Sequence, residues 1–257
     1  MARVKYWVWL SCLRGVRTYM KCRLLDRFGG PDGIYAAKET ELASVEGLRP
    51  QELAALGERD MSEAERVLSA CAASGITMLT LQDAQYPERL RNIPDPPVVL
   101  YVWGRLPAVD DHPTFAVIGT RKASAYGLRM AAKLGGELTR EGAIIVSGLA
   151  DGCDSTAMDA ALRAGGETVG VLGTAIDVVY PAKNRALFEQ VKVHGAVVSE
   201  YPPGMRTFAS DFKARNRIIS GLSLGVVVAE APIRSGTRVT VDHALSQGRD
   251  VFAVPGN

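Results

Sequence analysis

From Thr114 onward, apolar and polar positions alternate in blocks. Short β-branched runs ("TFAVIG", "AIIVSG", "TVGVLG", "AVVSEY", "GVVVAEA" and "DVFAVPG") are separated by stretches whose apolar residues recur at helical spacing, at 125–140, 153–164, 183–193, 210–222 and 237–247. Continuous apolar strands joined by helices predict a mostly parallel sheet covered on both faces. Right-handed crossovers then give an extended Rossmann-like, doubly wound domain. Two further strands, "ITMLTL" from Ile76 and residues 98–103, precede it across a proline-rich connection.

Residues 1–75 carry a different pattern. Short amphipathic stretches are punctuated by glycine, as in "YMKCRLLDRF" before Gly29-Gly30-Pro31, a helix stop and restart. Gly47 and Gly57 stand where C-caps are expected, and Ser62 with Glu65 reads as a capping box. The outline is a small helical domain of the SAM or helix-hairpin-helix kind, followed by the α/β domain over 76–257.

Charge and cysteine content narrow the class. The 257 residues carry a net charge of +2, so no strong polyanion affinity follows from the total. The first 27 residues hold Arg3, Lys5, Arg14, Arg17, Lys21, Arg23 and Arg27 against Asp26 alone, a patch that suits either a nucleic acid or a solvated helical face. Four dispersed cysteines form no CxxC pair, which argues against a metal site or a disulfide framework. No stretch approaches the ~18 apolar residues of a membrane span, and "YWVWL" is too short for a signal sequence. The expectation is a cytoplasmic protein.

In such a sheet, ligands bind beyond the carboxyl ends of the strands. Those ends read "GTRKAS", "SGLADGCD", "GTAID", "SEYPPG", "EAPIRSGT" and "PGN". Glycine beside Ser, Thr or an acid lets backbone N–H groups meet an anion, and a helix N-terminus adds positive charge. Repeated along one edge, the pattern predicts a ridge for several phosphates. Its candidate contacts are Gly119, Thr120, Arg121, Ser124, Ser147, Gly148, Gly173, Thr174, Lys183, Asn184, Asn216, Arg217, Ser235 and Gly236, with Arg185, Arg215 and Arg234 as further cations. Arg121 stands where a dinucleotide fingerprint has its second glycine, which disfavours NAD or FAD. Arg215 and Arg217 fall on different helix faces, so at most one reaches the ridge. Tyr180 and Tyr201 sit at strand ends and could stack on bases.

Catalytic motifs are missing. There is no GxxxxGK[ST] and no GxSxG, and His112, His194 and His243 suggest no triad. Asp177, Glu200 and Glu230 fall at strand ends, where they could serve as general acid or base or could orient loops.

The segments "AVIGTRKASAYG", "IIVSGLADGCDSTAMDAAL", "GTAIDVVYPAKN", "VVSEYPPG", "ARNRIISGLS", "VVVAEAPIRSGT" and "GRDVFAVPGN" together resemble the DNA-processing protein A (DprA/Smf) family, in order, from about residue 76 onward. The helical segment resembles that family's SAM-like domain. The resemblance implies a non-enzymatic single-stranded DNA-binding protein of natural transformation, which protects incoming strands and helps load the RecA recombinase. It also implies a homodimer through the Rossmann domain, with no cofactor. Arg121 and Lys183 would be its phosphate-binding cations, with backbone contacts at Gly148 and Gly173. Ala175, Cys153, Met158 and Lys213 depart from the family pattern, as does "SGTRVTVDHAL". Many relatives continue past "PGN" into a winged-helix domain. The competing reading is an enzyme resembling lysine-decarboxylase-like phosphoribohydrolases. That family's PGGxGTxxE pattern fails here, since Thr240 stands where its glutamate belongs.

Overall fold

A computed structural model describes residues 3–233 and 235–256. Six helices come first: α1 (Val4–Cys12), α2 (Thr18–Phe28), α3 (Pro31–Ala36), α4 (Glu39–Ala43), α5 (Pro50–Gly57) and α6 (Ser62–Ser74). The α/β portion then runs β1 (Ile76–Thr80), α7 (Glu88–Arg91), β2 (Val99–Gly104), β3 (Thr114–Gly119), α8 (Ala125–Arg140), β4 (Ile144–Ser147), α9 (Cys153–Arg163) and β5 (Thr168–Val171). It ends with α10 (Arg185–Val193), β6 (Gly195–Ser199), α11 (Ala209–Gly221), β7 (Gly225–Glu230), α12 (Thr237–Ser246) and β8 (Asp250–Ala253). One eight-stranded sheet has the order β1-β2-β6-β5-β4-β3-β7-β8. Strands β3 to β8 are mutually parallel; β1 and β2 join antiparallel at one side. The doubly wound α/β expectation is met, since every predicted strand and helix block of that half is present.

Alternate residues of the strands face opposite layers. Ala116, Ile118, Val146, Val169, Val171 and Val198 pack with Ile218 and Ile219 of α11 and with Leu222 at its C-terminus on one face. Val117 and Ile145 pack with Ala131, Ala157 and Ala161 of α8 and α9 on the other. On that side Trp7, Leu10, Met20 and Leu56 of the helical segment share an apolar cluster with Tyr101, Ile176, Phe188 and Val197. The helices of residues 1–75 are therefore cemented to the sheet.

Capping in this segment departs from the pattern reading. Met61, not Ser62, is the N-cap of α6, and Ser62 is held through its N–H (2.9 Å) and hydroxyl (2.6 Å) by Asp60. Asp60 is the better local acceptor, so the Ser62–Glu65 box does not form. Gly57 is the last residue of α5; the left-handed helix ends are Gly29 and Gly75.

The basic N-terminal residues are largely spent inside the molecule. Arg17 meets Glu52 at 2.8 Å, Arg14 meets Asp211 at 2.7 Å, and Arg23 meets Glu46 at 3.5 Å. Lys21 is buried, and its ammonium donates to the Ser11 carbonyl at 3.1 Å. Burial, opposed by Glu200, pulls that group down to about 8. The unfolded chain thus holds the proton more tightly. The penalty, about 3 kcal/mol, is fully present below pH 8 and is relieved as pH rises towards 10.5. Lys21→Met is expected to stabilise the protein by about 1–2 kcal/mol at pH 7, after allowing for the lost hydrogen bond. Its advantage over wild type should shrink by pH 10. Urea unfolding at the two pH values checks this, and an equal advantage at both would contradict it.

Candidate nucleic-acid interface

The carboxyl ends of β3 to β8 lie along one edge, and the winding reverses between β3 and β7, where an open α/β sheet has its binding crevice. There the register slips by one residue between Ile118 and Gly119, setting Gly119 opposite Glu230. The Glu230 carbonyl accepts from Thr120 N–H at 2.8 Å. Its carboxylate turns onto the N-terminus of α8, accepting from the N–H (2.8 Å) and hydroxyl (3.1 Å) of Ser124. Ser124 Oγ in turn caps Gly127 N–H at 3.1 Å. A side chain at Gly127 would run into the Glu230 carboxylate. A dinucleotide would lay its pyrophosphate at this helix end. Here the chain's own carboxylate fills the place.

One strand over, Asp154 does the same. Buried in the first turn of α9, it accepts from Gly119 N–H (3.3 Å) and Gly148 N–H (3.1 Å). Desolvation pushes its carboxyl up, countered by Arg215 and those two donors. Arg215 is 5% exposed and donates to the carbonyls of Gly148 (3.0 Å) and Val171. Burial draws its guanidinium down to about 10, opposed by Asp154, so it stays cationic at neutral pH. Gly152, at φ +78°, lets α9 start against the Thr120 and Arg121 carbonyls, where a Cβ would not fit.

These internal anions correct much of the expected backbone ridge. The N–H groups of Gly119 and Gly148 are taken. Ser147 is buried and donates to the Val117 carbonyl at 2.7 Å; Thr174 is buried and donates to the Val178 carbonyl at 2.8 Å. Gly173 makes room for Phe212, whose Cδ1 would lie 2.7 Å from an added Cβ. Asn184 holds the carbonyl of Leu149 at 2.9 Å; Leu149 is a non-glycine residue at positive φ (53°), fixed at the tip of β4. Ser235 caps α12 through Thr237 N–H at 3.1 Å, beside exposed Gly236, and Asn216 accepts from Arg215 at 3.2 Å. Arg234 lies outside the described residues.

Arg217 is the clearest correction. It is 2% exposed and its charge is spent on Glu200 (2.8 Å) and Asp95 (3.1 Å), which leaves no guanidinium for a ligand. Of the two arginines in "KARNR", Arg215 is the one that reaches the ends of β4 and β5, through the Gly148 and Val171 carbonyls. The signal was in the spacing: Arg215 shares an i, i+3, i+4, i+7 face with Ile218, Ile219 and Leu222, and Phe212 extends it one turn back.

What the tips leave open is a cleft of about 40 Å³ lined by Arg121, Asp151, Tyr180, Phe212 and Arg215, among others. Arg121 is exposed, with its guanidinium 5.9 Å from the centre of the Phe212 ring and no ion-pair partner among the described residues. Tyr180, 49% exposed, tilts against Phe212 at 5.1 Å. Lys183, also exposed, meets Asp151 at 3.1 Å. The cleft is far below the ~300–1,000 Å³ that encloses a small molecule. It suits a chain passing over it: cations for phosphates, rings for bases. A cavity of about 450 Å³ lies elsewhere, over β1 and β2. Two of its charges are committed internally, Arg105 to Glu167 (2.7 Å) and Asp110 to the N–H groups of Glu88 (2.6 Å) and Arg89 (3.1 Å). Among the described residues, no group of three or more His, Cys, Asp or Glu side chains is placed to hold a metal, and no helix is long and apolar enough to cross a membrane.

Known proteins resemble this chain in sequence and fold. The chain is 38% identical to Protein Smf of Synechocystis sp. over 256 residues, 98% of this chain and 64% of that one. It is 40% identical to the DNA processing protein DprA of Bacillus subtilis over 192 residues, 75% and 65% of the two chains. It thus spans a little under two thirds of these relatives' length. DNA processing protein A of Streptococcus pneumoniae superposes with a TM-score of 0.84 at 35% identity, covering 98% of this chain and 87% of that one. The Helicobacter pylori protein, described for its single-stranded DNA binding mode, gives 0.64 at 30% identity, over 71% and 81%. The family model for DNA recombination-mediator protein A matches residues 77–257. The chain belongs to the DNA recombination-mediator protein A family.

Proposed function

We propose that this protein binds single-stranded DNA across the strand-tip face, protects incoming strands during natural transformation and passes them to a RecA recombinase in the cytoplasm. The observation that carries the reading is the pairing of exposed Arg121 and Lys183 with Tyr180 and Phe212 over a cleft too small for a cofactor. Phosphates meet the cations and bases stack on the rings, which is how single strands are held without sequence preference. The family's description as a recombination mediator and the H. pylori relative's DNA-binding mode support it.

The binder works without catalysis. Asp177, Glu200 and Glu230, the acids an enzyme would use at the strand ends, are bonded to Gly204 N–H, to Arg217 and Thr18, and to Ser124 respectively. The assembly is a homodimer through the Rossmann-like domain. Supporting this, β8 ends the sheet with Phe252 and neighbouring Leu245 exposed. Two or three neutralised phosphates predict a log–log salt slope of about −1.4 to −2.1 for a deoxythymidine oligomer. No binding at low salt, or release of a free base from a nucleoside monophosphate, would contradict the reading.

A further inference from the structure

The loop between β6 and α11 carries aromatic and cationic groups that the cleft does not use. Phe208, the N-cap residue of α11, is 50% exposed. The guanidinium of Arg14, from the α1–α2 turn, lies 4.8 Å from its ring centre, and that of Arg206 lies 5.4 Å from it. Arg14 also lies 5.6 Å from the ring of Tyr201. It is fixed there by Asp211 (2.7 Å) and by the carbonyl of Arg206. Arg206 is exposed and has no ion-pair partner among the described residues. Phe208, the extended N-cap residue (φ −126°, ψ 168°), stands four residues before Phe212, about 6 Å along the helix axis. That separation is one to two nucleotides of stacked strand at about 3.4 Å each.

We propose that Phe208, with Arg206 beside it and Arg14 holding the loop, is a second nucleotide subsite. It would extend the DNA path from the Arg121–Phe212 cleft towards the helical segment. An exposed phenyl ring next to an uncommitted guanidinium offers a base face and a phosphate partner together. Water gains nothing from such a ring, and no apolar neighbour covers half of it. The helical segment's part is positional: Arg14 ties the loop to the first helices, so DNA bound there senses both portions of the chain. The inference rests on the reading of the cleft as a single-strand site.

The test compares deoxythymidine oligomers of three and nine nucleotides on wild type, Phe208→Ala, Phe208→Trp and Arg206→Ala. Expected is unchanged affinity for the trimer in all four proteins. The nonamer should lose about tenfold with Phe208→Ala and with Arg206→Ala, and Phe208→Trp should keep wild-type affinity because the indole also stacks. Wild type that binds neither oligomer would remove the strand-tip reading itself. Wild type that binds both, with Phe208→Ala and Arg206→Ala matching it on the nonamer, would remove only the second subsite. Circular dichroism of Phe208→Ala should show unaltered helix content, because the ring is half exposed.

Discussion

Arg217→Ala is expected to destabilise the fold by about 3–5 kcal/mol, the range for breaking a buried ion pair by removing one partner. The guanidinium joins three parts of the molecule. It reaches Glu200 at the end of β6, and both the carbonyl (2.9 Å) and the carboxylate (3.1 Å) of Asp95 in the loop before β2. Glu200 also accepts from Thr18 of α2 at 3.1 Å. Alanine would leave both carboxylates facing each other without a counter-charge. Asp95, already pushed up by burial, would lose the cation that opposes the shift. Chemical denaturation measures the loss. Removing the exposed Arg105–Glu167 pair should cost under about 1 kcal/mol by comparison. Arg217→Lys should recover part of the stability, and that folded variant should bind DNA within twofold of wild type.

The second large effect falls on binding. Arg121 and Lys183 are exposed, so alanine at either should leave stability within about 0.5 kcal/mol. A hydrogen bond to a charged group contributes about 1.5–3 kcal/mol, so Arg121→Ala should weaken single-strand affinity by roughly 10- to 100-fold. Lys183 must first leave Asp151, so Lys183→Ala should cost less, about tenfold. Asp151→Asn releases that competition and should tighten binding a few-fold. An oligonucleotide titration by fluorescence anisotropy reads all three, and weakened binding by Asp151→Asn would contradict the assignment.

The strands and helices were legible because period-two and period-3.6 patterns are local, and every run from "TFAVIG" onward forms its strand, although β8 at the sheet edge stays largely exposed. The cations Arg121 and Lys183 were legible as exposed positions because Arg121 stands just past an apolar strand and Lys183 just before a helix. The fate of the backbone donors was not, because it depends on which acids the fold brings back to the tips. Asp154 lies 35 residues from Gly119, and Glu230 lies 106 from Ser124. No local pattern reports such contacts. Arg215 and Phe212 were legible in principle, through their helical spacing with Ile218 and Ile219. Arg217 misled because its partners, Glu200 and Asp95, come from separate loops. The anions found at the glycine turns are the chain's own Asp154 and Glu230.

The most direct measurement is the affinity for one oligonucleotide as single strand and as duplex, across a salt series, for wild type and Arg121→Ala. If the strand-tip face holds single strands through Arg121, wild type prefers the single strand. The substitution then reduces the magnitude of the single-strand log–log salt slope by about 0.7 and lowers affinity for unrelated sequences alike. Equal affinity for duplex and single strand, or an Arg121→Ala slope and affinity matching wild type, would contradict it.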